Sequence, residues 1–408
     1  MSLKRNFSWM MAGSLIYALC QWLVLIAIAK FGTPEVLGEF AFALAITSPV
    51  VIFFNLNMRA FQATDANNEY SFDEYLAARM VQIGMALLTI FVIVYFSSYS
   101  SSIISIIAGV SFYKGIESMS DIYYGRHQRR EHMQRIGRSL MIRGAVFAAA
   151  IFASMRMTND VKLGVLFTVI GWFLVLLLHD KRGVEVTLSV RGRDLVATIW
   201  HLSKRCLPLG IVTFLVSLNA NIPTYVIKNY LDTGQLGVFS ALLYFAIVGL
   251  FISGALAQTV APRLALYYSR SELHKFKFMQ IKLLGVGAVM GILGLLLVVF
   301  LGEYVLESFY GAAYAAHVDV FFWVMLSAGV GYAAIFLGTG LTVARRFREM
   351  FFLNVCTVIV TAGLSFLLIP KYGLVGAAWA LAGSATLKFI VNLMITYSIV
   401  YSHAGGRA

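Results

Sequence analysis

The sequence predicts an all-α, polytopic membrane protein of twelve transmembrane helices, arranged as two six-helix lobes around a central cavity. Three observations predict it. Of the 408 residues 60% are hydrophobic and 12% are charged, where a soluble globular chain averages about 45–50% and about 25%. Apolar stretches of about 20 residues, enough for a helix to cross a hydrocarbon core of about 30 Å, recur from end to end. The basic residues fall mostly on alternate connections between those stretches.

The first crossing is read at 7–29; it lacks a small-residue cleavage site and is taken as a retained helix. Crossings at 36–58, 77–96, 101–124, 139–156 and 163–179 complete the first lobe. Those at 206–227, 236–260, 279–301, 318–341, 350–369 and 374–400 form the second. The fourth and tenth are the least clear-cut, because each carries charged or polar residues inside its span. Cys20, Cys206 and Cys356 lie in apolar spans and read as small apolar fillers.

The charges orient the chain. Of the 32 lysines and arginines, 25 fall on one side, 5 on the other (Lys30, Arg156, Lys162, Lys228 and Lys371), and Lys114 and Lys388 lie inside helices. The positive-inside rule then places both termini in the cytoplasm. This distribution accounts for the net charge of +13 without a nucleic-acid partner.

The predicted domains are residues 1–180, a basic cytoplasmic linker at 181–205, and residues 206–408. In the linker Leu195, Ile199 and Leu202 share a helical face beside Trp200, which suits either a helix in the headgroup layer or a solvated connector. The motif Leu37-Gly38-Glu39-Phe40 recurs as Leu236-Gly237-Val238-Phe239, at the same outer turn of each lobe. Six crossings per lobe make a parallel repeat, the architecture of an alternating-access carrier.

Other chemistries lack their residues. The outer connections, at 30–35, 97–100, 157–162, 228–235, 302–317 and 370–373, are short. No Gly-rich phosphate loop points to ATP hydrolysis, and no cofactor is implied. His127 and His132 lack the accompanying cysteines or acids of a metal site and read as loop residues.

Ionisable residues inside a span are costly and usually face a bundle interior or a wet cavity. Lys114, Glu117 and Asp121 share one face of the fourth crossing, with Lys114 about 20 Å from its outer end. Lys114 reads as a cavity cation, and Glu117 and Asp121 as ion-coupling candidates; snorkelling or a plain Lys114–Glu117 pair is the alternative. Lys388, with no acid within a turn, lies at a similar depth in the twelfth crossing, where two ammonium groups would suit a pyrophosphate; it too could snorkel. Arg59 and Arg143, at the inner ends of the second and fifth crossings, read as phosphate guides or as anchors. Asn219 and Asn221 precede Pro223, which predicts a kinked or unwound stretch exposing sugar or hinge contacts. Gln21 and Gln258 are weaker candidates, read as interhelical hydrogen bonds.

Several stretches resemble the polysaccharide-type (Wzx-type) flippases of the multidrug/oligosaccharidyl-lipid/polysaccharide (MOP) exporter superfamily. They are Leu37-Gly38-Glu39-Phe40, the segment from Arg59 to Thr64-Asp65, the run Glu117-Ser118-Met119-Ser120-Asp121-Ile122-Tyr123-Tyr124-Gly125 leading to Gln128-Arg129, and Ile369-Pro370-Lys371-Tyr372-Gly373-Leu374-Val375-Gly376-Ala377-Ala378. The resemblance covers the chain end to end through loose motifs. It implies a non-enzymatic flippase in a bacterial cytoplasmic membrane, monomeric, passing a polyprenyl-pyrophosphate-linked oligosaccharide for O-antigen, capsule or another surface glycan, with a polymerase or export machinery as a further partner. Lys114, Arg59, Arg143 and Lys388 would be its cavity cations. One alternative is a cation-coupled drug exporter, which calls for an acidic cavity. Another is a membrane glycosyltransferase or polymerase, for which Glu303, Glu307 and Asp319 form the only outer acidic cluster.

Overall fold

The computed structural model describes residues 3–65, 69–182, 184 and 195–402, and every regular element among them is a helix. In chain order these are α1 (Leu3–Phe31), α2 (Pro34–Asn55), α3 (Met58–Thr64), α4 (Phe72–Tyr95), α5 (Ser101–Arg129), α6 (Met133–Thr158) and α7 (Val161–Val175), which a π-helical turn extends through Leu176–Asp180. Then come α8 (Leu195–Tyr230), α9 (Thr233–Ser269), α10 (Leu273–Tyr310), the single turn α11 (Ala312–Ala315), α12 (Val318–Val343) and α13 (Phe347–Ser402).

Ten of these segments are long and apolar enough to cross a membrane. Two more crossings complete the twelve. Helix α5 is 29 residues long and is less apolar than the others because it carries serines as well as Lys114, Glu117 and Asp121. The 56 residues of α13 are two helices meeting at Gly373, whose φ of 57° and ψ of −136° lie outside helical space. Pro370 precedes that break, and Gly373 takes a backbone shape closed to residues bearing a Cβ.

Some boundaries differ from the sequence reading. The outer connection expected at 302–317 is largely helical, because α10 continues to Tyr310 and ends only at Gly311, with φ of 104°. The unwound stretch expected at Pro223 is absent: α8 is helical without interruption from Leu195 to Tyr230. A proline removes one backbone donor, and the 36-residue helix absorbs that loss. The basic stretch 185–194 lies outside the described residues. Leu195 to Arg205 forms the first turns of α8, where Leu202 is fully buried and packs with Ile199 against Leu56, Met58, Tyr75 and Ile122, while Trp200 remains exposed.

The chain divides into two compact units, Met1–Leu218 and Asn219–Ala408, with the division inside α8. In the first, α1 lies along α6, and α5 packs against α2, α4 and α7. Its core is aromatic: Tyr113, Phe147 and Trp172 stand with ring centroids 5.1 to 5.9 Å apart. In the second, α12 is surrounded by α9, α10 and α13, and buried Tyr332 donates to the Ala246 carbonyl at 3.1 Å.

In hydrocarbon, helices associate through close packing of small residues. Glycines serve this at α1–α6, where a Cβ on Gly137 would stand 2.4 Å from the Trp9 carbonyl oxygen, and at α10–α12, where Gly291 meets Gly329. Neither contact can be relieved by turning a side chain. Gly137→Ala is therefore expected to cost about 1–3 kcal/mol through overpacking, seen as a lower thermal midpoint of the detergent-solubilised protein. Gly84→Ala on α4, where a Cβ meets nothing within 4 Å, should leave the midpoint unchanged or raise it.

Candidate functional site

The site residues of the first unit depend on a break in its second crossing. Helix α2 ends at Asn55, and the next residues, Leu56 and Asn57, take φ of 49° and 50°. Asparagine tolerates this left-handed region, whereas leucine pays about 1–2 kcal/mol for it. Packing holds Leu56 there: its side chain is buried, and Gly210 of α8 is the close neighbour, since a Cβ at that position would lie 2.9 Å from Leu56 Cα. The chain resumes as α3 and carries Arg59 toward α5.

There Arg59 Nη1 donates to Asp121 Oδ1 at 3.2 Å and Nε donates to Gln128 Oε1 at 3.1 Å. The guanidinium also lies over the Tyr124 ring, 5.4 Å from its centroid. Asp121 faces a second guanidinium: Arg79 of α4 is fully buried, brings Nη2 to 3.8 Å from Asp121 Oδ2, and donates through Nη1 to Asn55 Oδ1. One turn along α5, Lys114 Nζ donates to Glu117 Oε2 at 2.8 Å, and Tyr17 of α1 donates to Glu117 Oε1 at 2.8 Å.

The result is a line of three cations and two carboxylates along one face of α5, net positive by one. Arg59, Lys114, Glu117 and Asp121 keep between 19% and 32% of their side chains exposed. These groups are held in place and still reachable. Both carboxylates are paired with cations, Asp121 with Arg59 and Arg79 and Glu117 with Lys114, and Glu117 also accepts from the Tyr17 phenol.

Arg143 does not belong to that face. It is 1% exposed and donates to Asp180 Oδ2 at 3.1 Å, with Asp180 equally buried. It also donates to Ser120 and covers the Trp172 ring at 5.1 Å, while the Trp172 indole N–H donates to the Arg143 carbonyl at 3.1 Å. Ser139 Oγ donates to Asp180 Oδ1 at 2.5 Å and lies 2.6 Å from the Tyr124 hydroxyl. These bonds tie α5, α6 and the π-turn together. The sequence reading makes Arg143 a phosphate guide or an anchor; in this arrangement its burial and its pairing with Asp180 give it a structural role.

In the second unit, Lys388 is half-buried, and no ion pair to it occurs among the described residues. It belongs to a stripe at four-residue spacing with Ser384, Asn392 and Thr396, all three buried. Asn392 Nδ2 donates to the Ala334 carbonyl at 3.3 Å. Asn354, Thr357, Thr361 and Ser365 form a second buried polar stripe on the preceding half of α13. Thr361 Oγ1 donates to Asn219 Oδ1 at 2.6 Å, which makes Asn219 a link between α8 and α13. Asn221 is half-buried. Gln258 is exposed. Among the described residues, no group of three or more His, Cys, Asp or Glu side chains converges as metal ligands would.

Sequence reasoning missed Arg79, Tyr17, Asn55 and Asp180. Arg79 and Asp180 sit at crossing ends, where the positive-inside pattern and a loop assignment explain them away; only their partners reveal the role.

No family model matches the sequence. A Staphylococcus aureus capsular polysaccharide biosynthesis protein, CapF, is 27% identical over 390 residues, covering 95% of this chain and 97% of that one. An inward-facing MATE-family multidrug resistance transporter of the MOP superfamily superposes with a TM-score of 0.72, over 100% of this chain and 97% of that one, at 10% identity. The chain has the MOP-superfamily fold. The lipid II flippase MurJ, in an inward closed conformation, gives a TM-score of 0.77 over 94% of this chain and 86% of its own, at 14% identity. The MOP resemblance carried by the Arg59 segment, the α5 run and the Pro370–Gly373 turn thus agrees with the fold of the whole chain.

Proposed function

We propose that this multi-pass membrane protein is a flippase that moves a polyprenyl-pyrophosphate-linked oligosaccharide across the cytoplasmic membrane by alternating access, with both termini in the cytoplasm. The observation that carries the reading is the reachable face of α5, where Arg59 and Lys114 stand beside carboxylates already paired and the buried Arg79 adds a further positive charge behind Asp121. A diphosphate is best met by guanidinium and ammonium donors. The full-length likeness to a capsular polysaccharide protein and the fold shared with a lipid II flippase support the same substrate class. A drug exporter for cationic substrates fits less well, because Glu117 and Asp121 are occupied by Lys114, Arg59 and Arg79.

Lys388 is proposed as the cation that the second unit offers the same headgroup. Lys388→Ala should impair surface glycan in a strain lacking the native copy, with membrane abundance unchanged, and Lys388→Arg should retain more of it. Normal glycan from Lys388→Ala would refute this role. Deleting the protein should cause a lipid-linked oligosaccharide to accumulate, detectable by mass spectrometry of extracted lipids. An unchanged lipid-linked pool would overturn the flippase reading.

A further inference from the structure

Asp121 is claimed by two guanidinium groups and held closely by neither. Arg59 Nη1 stands 3.2 Å from Oδ1, longer than the about 2.7–2.9 Å of a well-made charged hydrogen bond. Arg79 Nη2 stands 3.8 Å from Oδ2, beyond hydrogen-bond reach. The two cations differ in what they can do next. Arg59 is partly exposed, and its remaining partners, Gln128 Oε1 and the Tyr124 ring, carry no charge. Arg79 is 0% exposed, and its Nη1 is tied to Asn55 Oδ1 at the last residue of α2. Beside it on α4, Tyr75 and Ala78 belong to an apolar cluster with Leu56, Ile122 and Cys206.

Arg79 therefore keeps donors unspent: among the described residues neither its Nε nor its Nη2 has a hydrogen-bond partner. A buried cation without a close counter-charge is costly, and the carboxylate within ion-pair range of this one is Asp121. Arg59 competes for that carboxylate from the open side. An anion that draws Arg59 away leaves the whole of Asp121 to Arg79.

We infer that Arg79 is a positioning residue that makes Arg59 releasable: when a phosphate group takes the Arg59 guanidinium, Asp121 passes from Arg59 to Arg79. The inference rests on the reading of the α5 face as a diphosphate site and adds how that site frees its own cation. Without Arg79, stripping Arg59 from Asp121 would leave a half-buried carboxylate with no cation. With it, the lost ion pair is replaced by one deeper in the protein, where the attraction is less screened. Asn55 ends α2 and Arg59 lies on α3, on either side of the left-handed pair Leu56 and Asn57. Arg79 is thus anchored independently of the segment that carries Arg59.

The test measures binding of inorganic pyrophosphate to the full-length purified protein in detergent by calorimetry, against sodium chloride of matched ionic strength. Arg59→Gln should weaken binding about tenfold or more, the scale of one charge-assisted contact. Arg79→Gln should weaken it comparably although residue 79 is out of the ligand's reach, because Asp121 then holds Arg59 alone. Asn55→Leu, which alters no charge, should tighten it about threefold, the scale of one neutral hydrogen bond, because Arg79 released from Asn55 closes on Asp121 before the anion arrives. A general loss of positive charge explains weakening in Arg79→Gln but predicts no change in Asn55→Leu; a purely structural Arg79 predicts weakening in both. Thermal midpoints check that each variant is folded, and should Arg79→Gln not fold, the sign of the Asn55→Leu effect decides alone. Binding that needs Arg59 but is unchanged or weakened in Asn55→Leu overturns the exchange and leaves the phosphate reading standing. No binding by the parent chain, or binding that Arg59→Gln leaves intact, overturns both.

Discussion

Arg143→Met is expected to reduce the yield of folded protein sharply and to lower the thermal midpoint of what remains. Arg143 and Asp180 are each 1% exposed and 3.1 Å apart, and removing one member of such a pair leaves the other as an uncompensated buried charge, at a cost of about 3–5 kcal/mol. Asp180 would keep the Ser139 hydroxyl and His179 as donors, which softens the loss without supplying the missing fixed cation. Breaking the pair also frees the π-turn that closes α7 onto α5 and α6. An apolar replacement of both partners is a different matter, because it removes the desolvation penalty along with the attraction. The Arg143→Met, Asp180→Leu double variant should therefore recover much of the midpoint that either single variant loses. Size-exclusion profiles after heating, read by fluorescence of a fused reporter, check both statements. A single variant as stable as the parent chain would show that the pair holds nothing together.

That pair also shows where sequence reading stops. Hydropathy and the alternation of basic connections locate the crossings, because each crossing must bury about 20 apolar residues against lipid and each connection must obey the charge rule. The turn at Pro370 and Gly373 is legible for a local reason, the scarcity of residues that can leave helical space. Arg143 and Asp180, by contrast, are 37 residues apart and belong to different crossings, so no periodicity joins them. Arg79 looks like an anchor at the inner end of its helix until Asn55 and Asp121 are seen to surround it. The break at Leu56 and Asn57 is half legible: asparagine announces a left-handed position, but the leucine is held there by Gly210, which lies far along the chain. Lys114, Glu117 and Asp121 were found together because helical spacing alone puts them on one face. Their partners Tyr17 and Arg59 come from other helices and required the fold.

The Lys114–Glu117 pair poses the sharpest functional question, because two accounts of the same 2.8 Å contact predict opposite results. If Lys114 serves only to neutralise Glu117, then Lys114→Ala strands a carboxylate held by Tyr17 alone, and removing Glu117 as well should restore activity. If Lys114 meets the substrate's phosphates, the Lys114→Ala, Glu117→Ala double variant should stay as defective as the single one, since no cation remains at that level of α5. We expect the second result. Surface glycan should fall by about tenfold or more in both variants, the scale of one lost charge-assisted contact, at unchanged membrane abundance, while Lys114→Arg keeps part of the function. Glu117→Gln separates the roles further: its carboxamide still accepts from Tyr17 but carries no charge, so transport that persists in it excludes proton coupling through this residue. Transport in proteoliposomes, with and without a proton or sodium gradient, reads that outcome directly, and recovery of glycan in the double variant would sink the phosphate-contact role of Lys114.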